Sequence, residues 1–223
     1  MRVSRHRVAM GILVVLGMSF AGCRTELKQV ELGELETPVY IRSVLWPVNG
    51  FRLADGRKDV SAFAETLKAA HPDFVVLTGV GAGTSADVDD LAAETGLIAS
   101  KGTGVALLSR VKPEETWDEK DYLVVEQPDF SITVVDFRGE PDVGTLERIM
   151  KSSPRGKVEI FCAIPYPGKG TAAYGTYDAI YRTIADGIGV VRSWGAGGFT
   201  LAGEGKLGGE VFKDKAHLVI VKD

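Results

Sequence analysis

Three stretches decide the fold: LWPVNGFR at 45–52, DVSAFAETLKAAHPDFVVLTGVG at 59–81 and GTGVALLSR at 102–110. Val39 to Trp46 reads as a strand. Val60, Phe63, Ala64 and Leu67 then fall on one face at helical spacing, which predicts a helix over 59–70 that His71 and Pro72 end. Phe74 to Leu77 is a short apolar run and reads as a buried strand. Ser85 is expected to cap a helix running to about Thr95 with Gly96 as its stop, and Gly104 to Ser109 is the next strand.

The same alternation continues more loosely. Strands are predicted at Tyr122–Glu126, Ser131–Phe137 and Val158–Ile164, and helices over Val143–Lys151 and Thr176–Asp186. Short strands around Phe199 and from Ala216 to Val221 close the chain. Strands outnumber helices and hairpins mix with crossovers, so an α/β sandwich of two sheets fits better than one doubly wound sheet.

Composition sets the outer bounds. The chain has 223 residues, 45% of them apolar and 25% charged, which excludes disordered and collagen-like classes. Twenty-six basic against 30 acidic residues leave no general positive excess for counterion-release binding, so nucleic acid is not an expected partner. The 201 residues after position 22 suffice for one sizeable core, hence a single domain over 39–223.

The N-terminus has a different character. Arg2, Arg5 and Arg7 precede an apolar run from Val8 to Phe20, the pattern of an export signal over residues 1–22. That run is about 13 residues, short of the roughly 20 that cross a bilayer as a helix. Phe20, Ala21, Gly22 and Cys23 resemble a bacterial lipobox, which implies cleavage after Gly22 and lipid on Cys23; the other reading is a plain secretory signal. Each buried CH₂ of an acyl chain contributes about 0.8 kcal/mol, so several chains on one cysteine hold a protein at the membrane. Residues 23–38 are polar, lack periodicity and read as a tether. Arg24 is not the aspartate associated with inner-membrane retention, so an outer-membrane or cell-surface location is expected in a diderm host. The only other cysteine is Cys162, inside the strand-like VEIFCAI, so no disulfide is expected and Cys162 reads as core.

The opening motifs carry a resemblance. LWPVNGFR, then PDFVVLTGVG, then GVALLSR resemble the endonuclease/exonuclease/phosphatase superfamily, whose members begin with a strand ending like W-N-V-N-G-(L/I)-R and continue through P-D-(I/V)-V-x-L-Q-E and G-x-A-(I/L)-L-S-R. The likeness is close over the first half of the domain and loose over the second. It implies a four-layered α-β-β-α sandwich with two packed mixed β sheets, and it locates the positions where that family does its chemistry.

Most of those positions are changed. The family's metal-binding asparagine corresponds to Pro47 and its metal-binding glutamate to Gly79. Asp136 stands at the transition-state histidine, Ile164 at the aspartate that orients the attacking nucleophile, and Tyr166 at the asparagine two residues later. The serine-aspartate-histidine pattern fits Lys213, Asp214 and Lys215, while a second register brings His217 near the site; both stay open. In-line attack on a phosphoester needs a divalent ion held by oxygen ligands and a positioned base, and Pro47, Gly79 and Ile164 supply neither. The resulting expectation is a nuclease-like scaffold without the chemistry and with no cofactor, binding a small ligand or another envelope protein. The alternative is a divergent magnesium- or manganese-dependent phosphodiesterase or phosphatase that draws its ligands from Asn49, Asp55, Asp136 or Asp214, with His217 in reserve. By strand alternation Asn49 would share a side with Pro47.

Other constellations read as structure. Gly79, Gly81 and Gly83 lack the spacing and lysine of a phosphate loop, and Asp87, Asp89 and Asp90 complement the positive end of the helix behind them. Pro167 to Thr171 is a partial match of the same kind and reads as a mobile loop. Asp55, Gly56 and Arg57 form a turn; Glu114, Glu115, Asp118, Glu119 and Asp121 read as a solvated loop. Tyr166, Tyr174, Tyr177, Tyr181 and Trp194 read as packing or as the wall of a cleft.

Overall fold

The first sheet is built around strand β1 (Tyr40–Pro47), which pairs in parallel with β2 (Phe74–Val80) and antiparallel with β12 (Ala216–Lys222). Strands β3 (Ile98–Lys101) and β4 (Gly104–Ser109) extend it on one side and β11 (Thr200–Leu207) on the other, in the order β11-β12-β1-β2-β4-β3. The second sheet runs β5-β6-β7-β8-β10-β9, formed by Glu115–Asp118, Tyr122–Glu126, Phe130–Asp136, Val158–Ile164, Ile188–Val191 and Thr183–Ala185 respectively. Its central pair, β7 and β8, is parallel. The computed structural model describes residues 40–119, 122–137, 142–152, 158–165, 167–180, 183–185, 187–191 and 200–222. The export signal, Cys23, the tether, Asp121, Tyr166, Tyr181, Trp194 and Phe199 lie outside these residues.

Among the described residues four α-helices complete the layers. Helices α1 (Val60–Ala70) and α2 (Ser85–Thr95) set Phe63, Leu67, Val88 and Leu91 against Val44, Trp46, Val75 and Leu77 on the outer face of the first sheet. Helices α3 (Val143–Ser152) and α4 (Ala172–Ile180) set Leu146, Ile149, Ala173 and Tyr177 against Tyr122, Val135 and Phe161 of the second. Between the sheets Leu45, Val76, Leu107, Ile132, Val134, Ile160 and Cys162 interdigitate. The result is the α-β-β-α order expected from the sequence. Over Val44–Trp46 of β1 and Phe74–Leu77 of β2 both faces are buried, so these segments read as apolar runs rather than as alternation.

The aromatic side chains concentrate under α1. Trp46 lies 4.5 Å from Phe63 and 4.8 Å from Phe212 between ring centroids, and Phe63 lies 4.7 Å from Phe212. Asp59, which the sequence placed inside the helix, caps α1 by accepting from the backbone N–H of Ala62 at 3.0 Å.

Some elements differ from expectation, each for a local reason. Ser85 does not cap α2: it sits in the first turn, after a 3₁₀ turn over Ala82–Thr84, and Thr84 at the cap position makes no side-chain cap bond. Helix α4 runs over 172–180 instead of 176–186, because the Thr171 hydroxyl accepts from the Tyr174 N–H at 3.1 Å and starts the helix early. Residues 183–185, expected in that helix, instead pair with β10. Strand β3 was not anticipated, nor was β5, which occupies the acidic stretch read as a loop. Its four residues are all exposed. An edge strand needs backbone pairing on one side only, so it tolerates a charged sequence.

Replacing Trp46 by alanine is expected to cost about 3–5 kcal/mol, the range for a large buried aromatic side chain. Urea unfolding followed by far-UV circular dichroism measures it, and a loss below about 1 kcal/mol would contradict this packing.

Candidate functional site

Strand β1 stops at Pro47, and the chain then makes a tight turn. The Phe51 N–H donates to the Val48 carbonyl at 2.8 Å, and the Val48 N–H donates to the Thr78 carbonyl at 2.9 Å, tying the turn to the end of β2. Asn49 and Phe51 both take the left-handed conformation, at φ 44 and φ 58. Asn49 therefore does not continue the strand, and the alternation that would set it beside Pro47 does not apply. Its exposed side chain instead donates an amide hydrogen bond to Asp214 Oδ2. Asp214 is held from the other direction too, since its carbonyl accepts from the Trp46 indole N–H at 2.9 Å.

Gly79 closes this group. It sits at an irregularity in the pairing of β2 with β4, at φ 71, a conformation that suits glycine. A Cβ at this position would stand 3.2 Å from the Asn49 backbone nitrogen and 3.3 Å from Asn49 Oδ1. The structure thus brings Asn49, Gly79 and Asp214 together. Of the two C-terminal registers, the one through Asp214 meets the turn. His217 lies instead on β12, opposite Leu45 on β1 and Lys206 on β11, beside an opening of about 230 Å³ lined also by Glu204.

In the second sheet, two further positions named by the resemblance stand at strand ends. Asp136 and Ile164 are register partners at the ends of β7 and β8, both half-buried. Gly187 lets the sheets close together there: an added Cβ would reach Leu45 Cδ2 at 2.7 Å and the Ala163 carbonyl at 3.2 Å. Pro47 and Ile164 each stand within two residues of that contact. Neither Gly187 nor the indole bond of Trp46 was singled out from the sequence; a glycine between two predicted elements was the only available signal for the first.

The divalent ion that the resemblance implies would need oxygen ligands here. Pro47, Gly79 and Ile164 carry no side-chain oxygen, and the side-chain oxygens beside the turn are those of Asn49 and Asp214, which are joined through the Asn49 N–H. Among the described residues no group of three histidine, cysteine, aspartate or glutamate side chains gathers around one point. Magnesium is generally held by one or two carboxylates with waters, and of the residues brought together here Asp214 alone carries a carboxylate, already hydrogen-bonded to Asn49, so the set fits the ion poorly.

The other singled-out residues are accounted for locally. Asp55 pairs with Arg57 at 2.7 Å in an exposed turn, and that hydrogen bond holds its carboxyl below the usual range. Asp87, expected to serve the helix dipole, is buried and ion-paired with Lys58, while Asp89 pairs with Lys101. Thr171, at the end of the partial phosphate-loop match, belongs to the turn that starts α4. Tyr177 is core, 5.3 Å from Phe161, and Tyr174 is half-buried. Burial pushes the Cys162 thiol up, away from the thiolate a nucleophile needs.

Compared by sequence, the chain matches no family model and no curated protein. Compared by structure, it is similar to an endonuclease/exonuclease/phosphatase family protein from Leptotrichia buccalis, with a TM-score of 0.57 at 10% identity over 81% of this chain and 99% of that one. D. rerio TDP2 complexed with a single-strand DNA product gives a TM-score of 0.57 at 12% identity, over 82% and 98%. An endonuclease/exonuclease/phosphatase from Beutenbergia cavernae gives 0.55 at 10%, over 82% and 71%. The chain has the fold of these proteins.

Substituting alanine at Gly79 is expected to cost about 1–3 kcal/mol, from the positive φ and the contact with the Asn49 backbone. Gly81→Ala, where an added Cβ meets nothing within 4 Å, is expected to leave stability nearly unchanged. Paired thermal melts of the two variants check the difference.

Proposed function

We propose that the chain is an exported, membrane-anchored lipoprotein whose nuclease/phosphatase-like scaffold binds a small ligand or an envelope protein and does not hydrolyse phosphoesters. The observation that carries this reading is the Asn49–Asp214 bond beside Gly79. Where the fold's chemistry calls for oxygen ligands around a cation, an amide donor faces the carboxylate, and the neighbouring backbone leaves no relaxed place for a glutamate side chain. The half-buried Ile164 supports the same reading, because a base that orients water contributes typically 10² to 10⁴ in rate and isoleucine has no proton to exchange. Losing metal and base together removes several kcal/mol of transition-state stabilisation, at tenfold per roughly 1.4 kcal/mol.

A divergent hydrolase would need new ligands from Asn49, Asp55, Asp136 or Asp214. Asp55 is committed to Arg57 in its own turn, and Asn49 to Asp214. The anchoring half of the proposal rests on the basic start, the short apolar run and Cys23 after Ala21 and Gly22.

With magnesium or manganese, the purified chain is expected to show no turnover of DNA, RNA or phosphomonoesters above background. Reproducible turnover that disappears in an Asn49→Ala, Asp214→Ala double variant would install the hydrolase instead. For the anchor, mass spectrometry of the membrane fraction is expected to find an acylated N-terminal Cys23, and Cys23→Ser is expected to release the chain from membranes; a mature terminus elsewhere would sink this half of the proposal alone.

A further inference from the structure

A second recess lies at the opposite end of the first sheet. The candidate site is at the end of β2, where Thr78 pairs with Pro47, whereas this recess lies at its start, where Phe74 pairs with Ser43 and Ser109. It has a volume of about 280 Å³, and its walls include Leu67, Lys68, His71, Pro72, Leu97 and Arg110.

His71 is the unusual residue. It ends α1 in the left-handed conformation, φ 48 and ψ 52, with its N–H donating to the Leu67 carbonyl at 3.1 Å. Glycine fills this position without strain, and Gly96 does so at φ 70 at the end of α2, on the wall of the same recess. Among the described residues, positive φ outside glycine occurs at Asn49, Phe51 and His71. Burial of its ring holds Phe51, and the bond to Asp214 holds Asn49. The backbone bond to Leu67 holds this cap, and the exposed His71 side chain makes no hydrogen bond among the described residues, so its ring nitrogens are available to a ligand in the recess.

The neighbours supply matching chemistry. Arg110 Nε is fixed to the Pro72 carbonyl at 2.7 Å, and its terminal nitrogens have no partner among the described residues. Lys68 comes from the last turn of α1. Lys68 pairs with Glu65 at 2.9 Å and Arg110 Nε stands 3.9 Å from Asp73, so an anion in the recess competes with two carboxylates for these cations.

We propose that this recess binds a phosphate-bearing anion, with Lys68, His71 and Arg110 donating to its oxygens and Leu67, Pro72 and Leu97 receiving the carbon part of the ester. The negative C-terminal ends of α1 and α2 oppose an anion here, so the direct hydrogen bonds carry the binding and the affinity is modest. The phosphate comes from a lipid headgroup or from a soluble ester. The start of β1 lies close by, since the Arg42 N–H donates to Asp73 Oδ2 at 2.7 Å.

Calorimetric titration of the full-length chain in dodecyl maltoside tests the proposal with two probes, glycerol 3-phosphate and dihexanoyl phosphatidylglycerol. Binding of both with similar affinity identifies a soluble ester, and markedly tighter binding of the second identifies a headgroup; either supports the site. His71→Gly and Arg110→Gln are each expected to weaken binding about ten-fold. His71→Gly is also expected to keep or raise the Tm, which separates lost binding from lost folding. Lys213→Gln, at the other end of the sheet, is expected to change nothing. Failure of both probes to bind, undiminished binding in the His71→Gly, Arg110→Gln double variant, or an equal loss in Lys213→Gln would overturn the proposal.

Discussion

The indole of Trp46 is the contact on which the candidate site depends. Its ring is packed among Phe63 and Phe212 beneath α1, and its N–H reaches the carbonyl of Asp214, 168 residues further along the chain. A buried indole N–H needs an acceptor. Satisfying it fixes the loop between Phe212 and β12, and that loop in turn delivers the Asp214 carboxylate to Asn49. Packing and site are thus joined through one side chain: the helix layer places the ring, the ring places the loop, and the loop places the carboxylate.

The three apolar layers carry the stability of the scaffold independently of the residues at its strand ends. Pro47, Gly79, Asp136 and Asp214 belong to none of the buried hydrophobic clusters, and Ile164 only borders the layer between the sheets. Stability comes from burial at roughly 25 cal/mol per Å² across those layers, and strand ends at a rim contribute little to it. Substitution there leaves the core intact.

Much of the architecture was legible because the central strands are apolar on both faces and α1 has a clean helical stripe. The edges were not. Strands β3 and β5 carry no alternation that a single sequence reveals, since an edge strand is specified by its partner; Glu115–Asp118 is a strand because Leu123–Glu126 offers it a ladder. The site was half legible. The motifs located Pro47, Gly79 and Ile164 on strand ends, but the pairing of Asn49 with Asp214 depends on a left-handed turn and on the Trp46 bond. Side-chain period cannot report either, because a period of two presumes that the strand continues past Pro47.

The distribution of backbone strain shows where the fold has latitude. At Asn49 and Phe51 the left-handed conformation is repaid within the molecule, by a charged hydrogen-bond acceptor and by complete burial of a ring. Both residues sit in one four-residue turn, so the contacts that hold one also hold the other. Gly79 shares this turn's constraint from the opposite side: its own positive φ is accessible at no steric cost, yet the space its side chain would fill is already taken by Asn49. A change at position 79 therefore cannot be considered apart from position 49, nor position 49 apart from Asp214. The turn, the glycine and the Asp214 loop behave as one coupled unit, in which a change at one position is felt at the other two.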